Sequence, residues 1–114
     1  MDCRLHPPNA QEALLAAALT SFVLETELAK VYAPSRGSDA AAQTRQVAMY
    51  LMYFTSGLSL AKVALAFGRD RSTVSHACHQ VEDRRDDPEF DDWLEEMETI
   101  MERLFRLRAR KGEA

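Results

Sequence analysis

The chain has 114 residues, of which 46% are hydrophobic and 28% are charged, a balance typical of one ordinary folded domain. Fourteen Lys and Arg against eighteen Asp and Glu give a formal net charge of -4, which argues against nucleic acid because phosphate binding depends on basic surface. The four glycines, at positions 37, 57, 68 and 112, are far apart. Their spacing excludes a GxxxxGK[ST] phosphate loop and a GxGxxG nucleotide-binding turn.

The cysteines and the apolar runs indicate a cellular compartment. Cys3 and Cys78 are far apart in the sequence, and the apolar stretch at 13–19 is short and lacks a convincing signal-peptide cleavage site. No run is long enough to span a membrane. We therefore expect a reduced, cytoplasmic protein without a disulfide framework and without a membrane partner.

The net charge conceals a strong asymmetry along the chain. Residues 1–35 carry a net charge of -2, whereas residues 36–85, with seven basic and four acidic side chains, carry +3. Residues 86–104 hold nine acidic side chains and one basic side chain, a net charge of -8, and the last ten residues carry +3. The charge of each segment is more informative than the total, and it makes 36–85 the candidate segment for binding nucleic acid.

The first predicted helix follows a short leader at residues 1–9. Asn9 and Glu12 have the spacing of a capping box, which predicts that the helix begins there. Apolar residues recur at helical spacing to about Tyr32, and a loop at 33–38 (APSRGS) follows. The face predicted to be buried carries Leu15, Leu19, Phe22 and Val23.

Two further helices are predicted before residue 68. One spans roughly 40–54, and the other spans about 59–67 and ends at Gly68, where a left-handed residue is favoured. The residues predicted to face the core are Val47, Leu51 and Phe54 on the former helix, and Leu60, Val63, Ala64 and Phe67 on the latter.

The fourth helix is predicted to span about Arg71 to Arg84, after Asp70 as a potential N-cap. Its buried face carries Val74, Ala77, Cys78 and Val81, and its outward face carries Arg71, Ser72, Ser75, His76 and His79. Two short helices joined by a glycine-containing turn are typical of a helix-turn-helix, whose second helix enters the major groove. On spacing alone, a plain helical hairpin with a polar outer face also fits.

The last helix is predicted to begin at Asp87-Pro88 and to run to about Arg108. Its apolar residues step by 4, 3, 4 and 3, at Trp93, Met97, Ile100, Leu104 and Leu107. No β-alternation is present, so we predict an all-α chain. We expect a helix-turn-helix domain at 10–86, an appended acidic amphipathic helix at 87–108 in the same compact unit, and a basic tail at 109–114.

Residues 45–82, RQVAMYLMYFTSGLSLAKVALAFGRDRSTVSHACHQVE, carry a recognisable pattern. Its elements are Arg45-Gln46-x-Ala48-Met49, Ser59-Leu60, Phe67-Gly68, Arg69-Asp70, Thr73-Val74 and His76-Ala77-Cys78. The segment resembles the C-terminal DNA-binding domain (domain IV) of the bacterial replication initiator DnaA, which implies a helix-turn-helix of the Trp-repressor type. With the VEDRRDDPEF continuation, it is similar to small stand-alone domain IV-like proteins of α-proteobacteria.

The resemblance implies a role for each matching residue. Base contacts in the major groove are implied for Asp70, Arg71 and Ser72, with Leu60 and Ala61 against thymine methyl groups. Phosphate contacts are implied for Arg45, Gln46, Thr73 and His76. A minor-groove contact is implied for Arg36, the nearest basic residue of the loop.

The sequence departs from the family pattern in the turn, in the recognition helix and in the loop. The turn reads GRDR where the family usually has GGRDH, and Arg71 stands in place of a His. The family commonly has Pro where Ala61 stands, and the loop SRGSDAAAQT holds Arg36 as its single basic residue. We expect a changed base preference at Arg71 and a weakened minor-groove contact.

The helix-turn-helix pattern and the resemblance together imply a sequence-preferring double-stranded DNA-binding protein, associated with the nucleoid, that acts on replication-initiator-type sites and regulates replication initiation or transcription. We expect no catalytic activity, no cofactor and no small-molecule substrate. Asp70 can also act simply as an N-cap. His76 and His79 could share a metal with Cys78 or Cys3, but two further spaced ligands are missing, so no metal site is predicted.

The acidic segment allows two interpretations. One is the solvated face of a helix that packs on the domain. The other is a surface for a replication initiation protein or for self-association, and it leads to an alternative function: a non-catalytic interaction module that modulates the initiator through residues 87–108.

Overall fold

The computed structural model describes residues 8–113, and every regular element in this range is an α-helix. The elements are α1 (Ala10–Leu24), α2 (Leu28–Tyr32), α3 (Asp39–Ser56), α4 (Leu60–Phe67), α5 (Arg71–Arg84) and α6 (Pro88–Glu113). The all-α prediction is therefore confirmed. No helix within these residues is long and apolar enough to cross a bilayer. Cys3, most of the leader and the last residue lie outside the described residues.

Helix α3 is the centre of the molecule, because every other helix packs against it. A continuous run from Val47 to Met52 is buried on this helix, as expected of a helix that is surrounded on all sides. The prediction that Phe54 faces the core is wrong. Its side chain is 53% exposed and stacks on the ring of Tyr50, with the ring centroids 5.7 Å apart.

The segment predicted as one helix up to Tyr32 is two helices. Glu25 adopts a left-handed conformation (φ 55°) that ends α1, and the hydroxyl of Thr26 bonds to that of Thr44 on α3 over 2.8 Å. The predicted capping box is absent, because Asn9 is itself left-handed and its side chain makes no capping bond.

The buried face of α1 also differs from the prediction. It is formed by small side chains, at Ala13, Ala16, Ala17, Thr20 and Ser21. Small residues bring the axis of α1 close to α3, and this leaves Phe22 83% exposed and Val23 38% exposed. Leu15 and Leu19 are partly buried at the edge of the core.

Helix α6 begins as predicted, with the carboxylate of Asp87 accepting from the backbone N–H of Glu89 over 3.1 Å. Its apolar stripe is shifted from the predicted one, since Ile100 and Leu107 are 41% and 59% exposed. The side chains that join the core or pack against it are Phe90, Trp93, Leu94, Met97, Met101 and Phe105.

A polar cluster around Arg85 fixes α6 against α3 and α5. The Arg85 guanidinium donates to Glu98 over 2.8 Å and to the Tyr50 hydroxyl over 2.9 Å, and it is paired with Asp91. The Tyr50 hydroxyl in turn donates to Glu82 over 2.6 Å. Burial raises the pKa of Glu98, and the positive charge of Arg85 opposes that rise. Arg85 therefore compensates acidic charge that the packing of α6 takes out of water.

Candidate nucleic-acid interface

Helices α4 and α5 form the predicted helix-turn-helix. Ser59 caps α4, its hydroxyl accepting from the backbone N–H of Lys62 over 3.2 Å. Gly68 ends α4 with a φ of 68°, and the N–H of Arg69 returns to the carbonyl of Ala64 over 2.9 Å. This glycine C-cap sets the direction in which the chain enters α5, because non-glycine residues rarely adopt such a conformation.

The two faces of α5 are distributed as the sequence predicted. Val74, Ala77, Cys78 and Val81 are buried against the core. The outward side chains are exposed at Arg71, Ser72, Thr73, His76 and His79, and Ser75 is half-buried. On α4, Ala61 is exposed and Leu60 half-buried in the first turn. The residues with implied base contacts thus lie at the N-terminal ends of the two helices.

Asp70 occupies the N-cap position of α5, but its side chain does not cap the helix. Its backbone is extended (φ -75°, ψ 150°), and its carbonyl accepts from the N–H of Val74 over 3.2 Å. The carboxylate makes no capping hydrogen bond, so the expected side-chain cap is wrong. The exposed carboxylate remains available as a hydrogen-bond acceptor.

Arg45 has a structural role that sequence reasoning missed. The side chain is buried, and its three nitrogens donate to the carbonyls of Val31 (2.7 Å), Lys30 (2.9 Å) and Arg36 (3.2 Å). These carbonyls belong to the end of α2 and to the following loop. Burial, together with the nearby charges of Arg69 and Arg36, lowers the pKa of Arg45. In this arrangement Arg45 holds the loop, and a phosphate contact by Arg45 stays a prediction.

Arg69 completes the attachment of the same loop. From the turn of the helix-turn-helix, it donates to the carbonyls of Pro34 over 3.0 Å and of Ala33. The sequence motif contained Arg69, but spacing alone gave it no role. Together, Arg45 and Arg69 connect the loop at 33–38 to both α3 and the turn before α5.

A groove of about 270 Å³ lies between this loop, α3 and α5. It brings together all the residues for which the family resemblance implied phosphate or minor-groove contacts: Arg36, Arg45, Gln46, Thr73 and His76. Arg69 also lines it, whereas the residues with implied base contacts do not. The groove therefore lies beside the exposed N-terminal turn of α5.

Arg36 forms an exposed ion pair with Asp39 over 2.8 Å. Both side chains are largely solvated, so the pair contributes little to stability and Arg36 can exchange Asp39 for another anion at small cost. The loop position of Arg36 is thus fixed through its carbonyl by Arg45, whereas its guanidinium is at the surface.

Cys78 is a core residue, as predicted. Burial, together with the nearby Glu82 carboxylate, raises the pKa of its thiol to about 11, which favours the neutral thiol over the thiolate that binds metals. Among the described residues, the group close enough to share a metal ion is acidic and consists of half-buried Asp91 with exposed Asp92 and Glu95. It includes neither His76 nor His79.

Comparison with known protein families agrees with this geometry. The family model of the bacterial DnaA protein helix-turn-helix matches residues 23–81, just over half of the 114 residues. The match begins in the last turn of α1 and ends in α5, so it includes the loop, both arginines that hold it, and the helix-turn-helix. The chain therefore belongs to the bacterial DnaA helix-turn-helix family of DNA-binding domains.

Proposed function

We propose that this protein reads double-stranded DNA at replication-initiator-type sites with a sequence preference, and that it regulates replication initiation or transcription. The observation that carries the proposal is the groove at Arg36, Gln46, Thr73 and His76 beside the exposed start of α5. Donor groups on two helices and a loop suit successive phosphates of one strand, which would fix the orientation of α5.

Base reading is proposed for the first turn of α5. Arg71 is exposed and can donate two parallel hydrogen bonds to a guanine. The Asp70 carboxylate makes no capping hydrogen bond and can accept a hydrogen bond from a cytosine amino group. Ser72 is small enough to allow close approach, and Leu60 and Ala61 in the first turn of α4 suit thymine methyl groups.

Phosphate contacts are proposed for Gln46, Thr73 and His76, and for the N-terminal N–H groups of α5. Arg36 is proposed to reach the minor groove after leaving Asp39. We assign Arg45 a positioning role, because its nitrogens already bond to three carbonyls. No catalytic role is proposed for any residue.

The test is a titration against a duplex that carries the short asymmetric site that this family's domain reads, the initiator box, and against a scrambled duplex, each at several salt concentrations. The proposal requires tighter binding to the box and an affinity that falls as salt rises. Arg71→Ala should cost about 1–3 kcal/mol and relax selectivity at one base pair.

The matched control is Arg71→Lys, which keeps the charge but not the planar pair of donors. It should lose selectivity with an unchanged salt dependence. Absence of binding to either duplex at low salt would overturn the DNA-reading proposal.

A second candidate function rests on a groove of about 690 Å³ where α5 meets α6. Apolar side chains at Val47, Phe90 and Trp93 line it together with one arginine, Arg84, which stacks on the Phe90 ring, and with carboxylates at Asp83, Asp86, Asp87 and Glu89, which outnumber it. This chemistry suits a basic segment of a protein partner, as the interaction-module alternative requires. That alternative predicts that Glu89→Lys, in the segment 87–108 and on the lining of this groove, disrupts a complex with the replication initiator while DNA binding is retained.

A further inference from the structure

Helix α1 exposes an apolar face that no described residue covers. Leu14 is 48% exposed, Ala18 is half-buried and Phe22 is 83% exposed, and they follow one another at intervals of four along one side of the helix. Residues 13–24 contain no charged side chain. A helix that is apolar all round is typically enclosed by protein on every side, and exposed apolar patches commonly mark interaction sites.

We infer that this face pairs with the same face of a second copy of the chain, with the two α1 helices antiparallel and a two-fold axis at Ala18. A symmetric dimer needs a self-complementary surface. With Ala18 on the axis, Leu14 lies opposite the partner's Phe22, and Phe22 lies opposite the partner's Leu14. The small side chain of Ala18 lets the helices approach closely where they cross.

The polar residues at the two ends of the face also favour the antiparallel pair. Gln11 lies three residues before Leu14 and Glu25 three residues after Phe22. In the antiparallel pair, Gln11 of one copy therefore lies opposite Glu25 of the other copy. The Gln11 side-chain oxygen accepts from Arg108 over 2.6 Å, which leaves its amide nitrogen to donate to the partner's Glu25. The two Glu25 carboxylates lie about 21 Å apart in this arrangement, whereas a parallel pair would bring them together.

The pairing leaves the DNA-reading surface free. The apolar face of α1 includes no residue of the groove, no residue of the exposed side of α5, and neither Leu60 nor Ala61 of α4, which α1 also contacts. Two 15-residue helices are in contact over about 22 Å. The surface area that such a helix pair buries is at the small end of the range for specific interfaces. The dimer is therefore expected to be transient, with a dissociation constant on the order of micromolar or weaker.

Sedimentation equilibrium of the full chain tests the pairing. The apparent mass should rise from 12.9 kDa toward twice that value as the concentration increases from about 5 μM to about 1 mM. Phe22→Glu should weaken dimerisation at least about tenfold, because two carboxylates would then be buried against leucines. Leu107→Glu is the control, since Leu107 is 59% exposed on α6. A wild-type mass that stays monomeric, or equal weakening by both variants, overturns the inference.

Disulfide trapping tests the geometry. In a Cys3→Ser background, Ala18→Cys places two thiols on the axis and should give a covalent dimer under mild oxidation. Leu14→Cys separates the two Cα atoms by about 12 Å along the helices, beyond the reach of a disulfide, and should remain monomeric. Equal trapping by both variants, or trapping by Leu14→Cys alone, contradicts the antiparallel pair.

Discussion

The position of Arg45 leads to a prediction that separates its structural role from a DNA contact. Arg45→Met retains the apolar stem and removes every donor, leaving the carbonyls of Lys30, Val31 and Arg36 without this partner. Hydrogen bonds from a charged group contribute about 1.5–3 kcal/mol each. Part of this is offset by the cost of burying the guanidinium and by water reaching the exposed loop, so we expect a loss of about 3 kcal/mol.

Thermal unfolding followed by circular dichroism measures this loss. For a chain of this length, about 3 kcal/mol corresponds to a fall in Tm of roughly 12 °C. Arg71→Met is the matched control, because Arg71 is exposed on α5 and its loss should change stability by less than about 0.5 kcal/mol.

DNA binding by the same variants completes the test. Arg45→Met should bind more weakly to every duplex, since the loop and groove lose their support. A structural role for Arg45 is refuted if Arg45→Met unfolds like the wild type and only lowers the salt dependence of DNA binding by about one unit of slope, as expected for the loss of a simple phosphate contact.

Three other features predict measurable effects. Gly68→Ala should lower the free energy of unfolding in urea by about 1–2 kcal/mol because of the φ of 68° at this position, although a Cβ would meet no atom within 4 Å. Gly68→Asn should recover part of this loss, and an alanine variant as stable as the wild type would contradict the backbone explanation. In a Cys3→Ser variant at pH 8, Cys78 should react with a disulfide reagent only after denaturant is added, because its pKa of about 11 keeps the thiol protonated. Rapid labelling of Cys78 in the folded protein would disprove its burial. Arg85→Met should lower stability by about 3 kcal/mol by leaving Glu98 unpaired. Because burial raises the folded-state pKa of Glu98, the loss should shrink as the pH falls toward protonation of this carboxyl, and Arg85→Met with Glu98→Leu should regain most of it.

Helix boundaries were predicted correctly from the sequence where capping residues, glycine or proline control the backbone conformation. Ser59, Gly68 and Asp87-Pro88 each mark a helix boundary that the structure contains. The break after α1 lacked such a signal, because Glu25 and its neighbours are acceptable in a helix. The bond that Thr26 makes with Thr44 just after the left-handed turn joins residues that are distant in sequence.

The choice of buried face was less predictable. On α1 the core side consists of Ala, Ser and Thr, which carry a weak hydrophobic signal, while the larger side chains point outward. On α6 two apolar stripes have nearly the same stepping, and the Arg85–Glu98 pair orients the helix so that Leu94 and Met101 are inside. Long-range polar contacts of this kind have no signature in local spacing.

The candidate site shows the same division. The spacing of apolar residues in α5 identified its outward side chains, since these lie on the side of the helix opposite to the buried face. The tasks of Arg45 and Arg69 depend on carbonyls that are distant in sequence, and only the folded chain brings these groups together.

The balance of charge in the chain has a kinetic consequence. Arg36 and Arg85 are paired with carboxylates, residues 86–104 carry a net charge of -8, and the chain as a whole carries -4. Long-range attraction, which raises association rates toward about 10⁸–10⁹ M⁻¹s⁻¹ in strongly charged partners, is therefore weak here. Association should proceed near the unsteered rate of about 10⁵–10⁶ M⁻¹s⁻¹, so the residence time on a matching site would determine how long that site is occupied.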